Sequence, residues 1–276
     1  MDSPLVSTDW LAEHLHDDNV RIIDIRGNVL PATQPPPHYF SHREAYEQAH
    51  IPNAMFVDWQ VDIVEPDSAS NDVASPSRFA SLMGQLGIDA STVVVAYDDK
   101  DSMFASRLWW ALRYYGHDAV HILDGGWNKW VAENRATDDL IPQVAPTVFE
   151  PKMNSDIRAE SVDITDDVQL VDVRSVAEYT GQASRAERMG HIPNAINLPR
   201  KAMAGDVVPS VDDLRALFES KGVSLDASTI IYCNSGISAS YGLLAMQLAG
   251  AKDVRVYDGS WKEWGNDKTK PIVKPE

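Results

Sequence analysis

"VRIIDIR" (residues 20–26) returns as "VQLVDVR" (168–174), and that recurrence decides the fold. Two further blocks repeat in the same order: "AHIPNAMFVD" (49–58) as "GHIPNAINLP" (190–199), and "VHILDGGWNKW" (120–130) as "VRVYDGSWKEW" (254–264). The spacing between copies shrinks from block to block, as expected when duplicated units differ only in loop length. Within each copy, short β-branched runs such as "TVVVAY" (92–97) and "TIIYC" (229–233) alternate with longer segments of helical period. The helical segments "FASRLWWALRYYG" (104–116) and "ASYGLLAMQLAG" (239–250) each close on a glycine suited to a helix C-terminus. Apolar strands alternating with helices predict a mainly parallel sheet covered on both faces. The polar, proline-bearing stretch at 133–156 reads as a linker, so two similar α/β domains are expected at 1–146 and 147–276.

Composition narrows the function. The 276 residues are 44% hydrophobic, enough for two ordinary cores. No stretch approaches the ~20 apolar residues of a membrane span, and "MDSPLVSTDWLAEHL" lacks the basic start and apolar run of a signal peptide. A cytoplasmic protein without a membrane partner is the expectation. A net charge of −17 argues against nucleic acid, which demands a basic footprint. The single cysteine excludes an internal disulfide and a cysteine-rich zinc site. No metal or organic cofactor is implied.

That cysteine, Cys233, lies in "IIYCNSGISASYGLL" (230–244), where an apolar strand meets a helix. In an open parallel sheet, ligands bind beyond the carboxyl ends of the strands. Gly236 allows a dihedral that a Cβ resists, and Ser238 is placed to cap the helix. A corner of this kind directs backbone N–H groups and the positive helix end inward. The backbone of Asn234, Gly236, Ile237 and Ser238 is therefore expected to cradle an anion and favour the nucleophilic thiolate of Cys233. In the first copy Asp98 or Asp99 stands opposite Cys233, the ambiguity arising from a loop one residue longer. A carboxylate cannot carry sulfur, so the first domain should be catalytically silent, forming one wall of the site and supporting its neighbour.

These features together resemble the rhodanese family of sulfurtransferases in its tandem form. The resemblance rests on "DIR" and "DVR", the paired "HIPNA" blocks, "LWWALRYYGHDAVHILDGGW" and "YDGSWKEWG", and spans nearly the whole chain. It implies two rhodanese-like domains, each a parallel five-stranded sheet flanked by helices, with the active cysteine in the second. It also implies that Cys233 takes a sulfane sulfur from a small anionic donor and passes it, as a persulfide, to an acceptor. With no second cysteine to resolve the persulfide, the acceptor is external: cyanide, a small thiol or a thioredoxin-like protein. "CNSGIS" is similar to the loop of mercaptopyruvate-using relatives and carries no charge, whereas thiosulfate-using relatives often place basic residues there. By that likeness Ser235 handles a proton, and Arg185 and Arg188 bind the donor. His50 matches a histidine that the family sets near the serine, with a backbone-bonded structural role as the alternative. Where relatives often carry an arginine, this chain has Glu178.

Other chemistries fit less well. A cysteine-loop phosphatase needs an arginine six residues after its nucleophile, and that position is Ala239. A non-catalytic interaction module would have lost the cysteine, and only the first copy has. Thiosulfate is the runner-up donor. Asp172 with Arg174 reads as an internal ion pair, and the tryptophans at 109, 110, 127, 261 and 264 as packing residues.

Overall fold

The computed structural model describes residues 3–274. The first repeat opens with β1 (Leu5–Val6), α1 (Thr8–Glu13), β2 (Val20–Asp24), β3 (Gly27–Val29), β4 (Tyr39–Ser41) and α2 (Arg43–Gln48). It continues through β5 (Ala54–Phe56), α3 (Pro76–Gln85), β6 (Val93–Tyr97), α4 (Met103–Tyr114), β7 (Val120–Leu123) and α5 (Gly126–Ala132). The second begins with β8 (Arg158–Ala159), β9 (Gln169–Asp172), α6 (Val176–Tyr179), β10 (Ile196–Asn197) and α7 (Arg200–Met203). Then come α8 (Val211–Ser220), β11 (Thr229–Tyr232), α9 (Ile237–Ala249), β12 (Val254–Tyr257) and α10 (Ser260–Trp264). Residues 133–154 between the repeats contain no regular element. Among the described residues no helix is long and apolar enough to cross a membrane.

Each repeat builds one five-stranded sheet in which every pairing is parallel. The strand orders, β1-β7-β6-β2-β5 and β8-β12-β11-β9-β10, trace the same path twice, as the duplicated blocks require. Register agrees too: Asp24 lies opposite Tyr97, and Asp172 opposite Tyr232. The two central strands therefore end level with one another, setting the corner that follows each of them.

The repeated motifs have a shared physical purpose. Arg26 pairs with buried Asp24 at 2.8 Å, and Arg174 with buried Asp172 at 2.6 Å. Each guanidinium also donates to the carbonyl just before a "HIPNA" block, Ala49 in one copy and Gly190 in the other. Asn53 and Asn194 turn those blocks at φ 65° and 64°, a conformation asparagine tolerates better than most residues. The ion pairs thus fasten the loops after β2 and β9 to the blocks leading into β5 and β10.

The sequence reading did not anticipate the antiparallel β3–β4 hairpin, which among the described residues only the first repeat carries. It reaches the second domain, where Arg185 donates to the Leu30 carbonyl and lies 5.2 Å from the centre of the Tyr39 ring.

The domains meet through α4 and α9, packed side by side. Every residue of α4 except Arg113 is buried, and α9 is buried around most of its circumference. Helices that are apolar all round belong inside a protein, and here the interface supplies that interior. One buried ion pair spans it: Arg107 Nη1 to Asp258 Oδ1 at 2.7 Å, both side chains at most 1% exposed. The other Asp258 oxygen accepts the Val73 N–H at 2.9 Å, a second tie to the first domain. Removing one partner of such a pair strands the other charge. Arg107→Ala is expected to lower the unfolding free energy by about 3–5 kcal/mol; guanidinium titration checks this, and a loss under about 1 kcal/mol would show that the interface does not rely on the pair.

Candidate active site

Cys233 follows β11 directly and is 4% exposed. Its loop is held from behind by α10. Ser260 Oγ accepts the N–H groups of Cys233 (3.1 Å) and Gly236 (3.2 Å), while its own proton goes to the Tyr257 carbonyl (2.7 Å). The Cys233 and Asn234 carbonyls accept N–H groups of Trp261 and Lys262, each at 3.0 Å. These bonds occupy loop carbonyls on the α10 side. The first-turn N–H groups of α9, on Ile237, Ser238 and Ala239, have no intrahelical acceptor. Gly236 enters the helix at φ 74°. A Cβ there would stand 2.5 Å from Asp258 Oδ1 and 2.7 Å from Arg107 Nη1, so the loop rests on the interdomain ion pair.

The cysteine opens into a cavity of about 530 Å³ between the domains. Its second-domain wall includes Asn234, Ser235, Ile237, Ser238, Glu178 and Arg185. The opposite wall includes Tyr39, Leu30, Asp99 and Met103 of the first domain. Lys100, Arg200 and Lys201 add positive charge around it. The Ser235 hydroxyl has no protein partner among the described residues. Arg185 keeps a buried Nη1 without a partner, and Asn234 a buried Oδ1 likewise. Lys262, a residue the sequence reading passed over, reaches from α10 to Asn71 Oδ1 (2.6 Å) beneath Tyr39. Burial, then the Arg185 charge, pushes Lys262 below the ordinary lysine value, while Cys233 pulls it upward.

A rhodanese-like domain matches residues 7–133 and again 159–267. The chain belongs to the rhodanese family. It is 37% identical to the sulfur carrier protein TtuD of Thermus thermophilus, covering 99% of this chain and 97% of that protein. It is 31% identical to the 3-mercaptopyruvate sulfurtransferase of Escherichia coli, covering 97% and 96% of the two chains. A crystal structure of Escherichia coli 3-mercaptopyruvate sulfurtransferase superimposes with a TM-score of 0.83 at 29% identity, over 94% of this chain and 99% of that one.

Within this rhodanese fold several expected site residues move. Arg188 does not line the cavity; its guanidinium donates to the carbonyls of Gly265, Lys270, Trp264 and Asp267 and ties down the end of α10. Only Arg185 of the two arginines lines the cavity. His50 is fully buried in the first domain, its Nδ1 on the Tyr46 carbonyl (2.7 Å) and its Nε2 3.2 Å from both the Leu140 carbonyl and Asp138. His191 repeats the arrangement, stacked on Tyr179 and bonded to its carbonyl, and neither histidine lines the cavity. Ser238 is the second residue of α9 rather than its cap; Gly236 precedes the helix and Ser238 Oγ faces Met103 Sδ at 3.5 Å. Gly236 shapes the cradle without donating to its centre, because its N–H is taken by Ser260.

The first domain shows what such a loop does with a fixed anion. Trp127 N–H bonds the Asp98 carbonyl as Trp261 N–H bonds that of Cys233, which makes Asp98 the counterpart. The Asp98 carboxylate, 2% exposed, accepts four N–H groups, from Lys100, Ser102, Phe104 and Ala105, at 2.7–3.1 Å. Gly126, the equivalent of Ser260, sits so close to the Asp98 carbonyl that a Cβ would stand 2.2 Å from it. Burial pushes Asp98 up to about 6 against the pull of those donors. Because this lies above the ordinary 3.8, the associated stability is full below about pH 4 and is lost as pH rises through about 6. Asp98→Asn must turn an amide nitrogen toward N–H donors. It is expected to cost about 1–3 kcal/mol at neutral pH and to flatten that slope in urea titrations; an unchanged pH profile would refute this.

Proposed function

We propose that the protein moves a sulfane sulfur from 3-mercaptopyruvate to an external thiophilic acceptor through a persulfide on Cys233. The observation that carries this reading is a lone, corner-placed cysteine facing an interdomain cavity into which Arg185 brings a guanidinium with one unpartnered nitrogen, Nη1. Family membership and the names of the relatives support the sulfurtransferase class; the uncharged Asn234–Ser238 loop supports the keto-acid donor.

In the first half-reaction the Cys233 thiolate attacks the donor sulfur. A sulfur–sulfur bond forms as the carbon–sulfur bond breaks, and the electron pair leaves on the enolate of pyruvate. Ser235, lining the cavity with a free hydroxyl, relays a proton to that carbon. Arg185 holds the carboxylate through its unpartnered Nη1 in a charge-assisted hydrogen bond, its Nη2 and Nε being turned to the Leu30 carbonyl and Glu178. The unfilled N–H groups of the α9 first turn stabilise the anion before and after it gains its sulfur.

In the second half-reaction an incoming cyanide or thiolate attacks the outer sulfur, the persulfide bond breaks, and Cys233 returns as thiolate. Thioredoxin-like proteins are acceptors of the right chemistry. The free thiol fits a reducing cytoplasm. The likeness to a sulfur carrier protein favours one variation, in which the acceptor is a protein and the persulfide a relay.

Cys233→Ser is expected to abolish sulfur transfer with circular dichroism unchanged, and donor-treated wild type should gain one sulfur atom by intact mass. Transfer retained by the serine variant would remove the mechanism. Comparing kcat/KM for 3-mercaptopyruvate and thiosulfate with one acceptor is expected to favour the former; a preference for thiosulfate would overturn the donor while leaving the persulfide.

A further inference from the structure

Glu178 places a carboxylate inside the donor cavity, and all its recorded contacts are to donors. Oε2 accepts the Ser175 hydroxyl (2.7 Å) and the Ser175 N–H (3.3 Å). Oε1 accepts Asn234 Nδ2 at 2.8 Å, from the residue next to Cys233, and lies 3.5 Å from Arg185 Nε. The Glu178 and Arg185 side chains are 9% and 7% exposed, so water screens this pair poorly. Arg200 also has an acidic partner, Asp101 at 3.5 Å, but that carboxylate is 40% exposed and reached by solvent. Arg185 consequently meets an incoming donor through its remaining Nη1, with a negative charge fixed on its other edge.

We propose that Glu178 is a charge filter that admits monoanionic sulfur donors and disfavours dianionic ones. The inference rests on the sulfurtransferase reading and deepens it by naming the charge class of the substrate. Repulsion from a fixed carboxylate scales with the charge of the ligand, so a dianion such as thiosulfate meets twice the opposition that a carboxylate monoanion meets. Arg185 attracts both in the same proportion; with Glu178 beside it, the advantage a dianion would draw from an isolated guanidinium is cancelled. Ser175 and Glu178 also form the capping box of α6, which keeps the filter fixed in place.

Glu178→Gln tests the idea, because it removes the charge at constant size: the one amide oxygen keeps the Ser175 cap bonds, and the amide nitrogen faces Asn234, whose own amide can turn its unpartnered Oδ1 toward it. Uncharged iodoacetamide alkylates Cys233, and its rate reports whether the cavity is occupied. Sulfate, a dianion, and lactate, a monoanion, serve as protecting probes that need no turnover. In the variant the half-protecting concentration of sulfate relative to lactate is expected to fall by about tenfold, with the thiosulfate to 3-mercaptopyruvate ratio of kcat/KM rising in step. An unchanged sulfate to lactate ratio overturns the filter, even with both donors active. If that ratio shifts while wild type turns over neither donor, the filter stands and the donor assignment falls.

Discussion

The Asp258 carboxylate lies where three requirements of this molecule meet. One of its oxygens neutralises Arg107 of the first domain, and the other accepts the Val73 N–H from the same domain. Two residues further on, Ser260 holds the N–H groups at both ends of the cysteine turn. Gly236 packs so closely over the ion pair that any side chain would displace it. The Cys233 backbone is thereby referenced to the domain interface rather than to its own domain alone. A shift of one domain against the other would be felt at Cys233, and a buried ion pair resists such a shift because separating it leaves charge without solvent.

The duplicated corner separates two ways of using convergent N–H groups. In the first copy the anion is built into the chain as Asp98, and four backbone donors are consumed by it. In the second, a sulfur occupies the corner and the helix donors remain available. One residue at each clamp follows the same division. Gly126 leaves no room for a side chain beside Asp98, whereas Ser260 supplies a hydroxyl that gathers the Cys233 and Gly236 N–H groups. The first copy fills its cradle with its own carboxylate; the second leaves the first-turn N–H groups of α9 without an intrahelical acceptor beside a sulfur.

Much of this was readable in the sequence because repetition and periodicity report backbone architecture directly. The two parallel sheets, the helices α4 and α9, the Asp172–Arg174 pair and the cysteine at a strand-to-helix corner all follow from local pattern. Side-chain direction in irregular segments does not. Arg185 and Arg188 are three residues apart in a stretch without regular structure, and only the fold decides that one faces the cavity and the other the end of α10. The β3–β4 hairpin is hidden by a proline-rich turn between two three-residue strands. Lys262 sits within a short aromatic helix that reads as packing. Ser260 had a visible signal, the change from "DGG" to "DGS" between copies, whose meaning depends on knowing that Cys233 lies in front of it.

For the anionic donor proposed above, the protein's net charge of −17 is a repulsive background, and the arrangement of charge explains why it is tolerable. Exposed carboxylates act through solvent and are screened beyond about 8 Å at physiological ionic strength. Cations within the cavity act at short range and with less screening. Lys100, Lys201, Arg200 and Arg185 line the space before the sulfur, and Lys262 lies close enough to Cys233 and Arg185 to sense both. Overall acidity therefore governs solubility and distant encounter, while the potential at the sulfur is set by the few charged groups lining the cavity, of which Arg200 and the Arg185 and Glu178 side chains are buried. Glu178 matters for that reason: one carboxylate among those few weighs more on an entering donor than many on the surface.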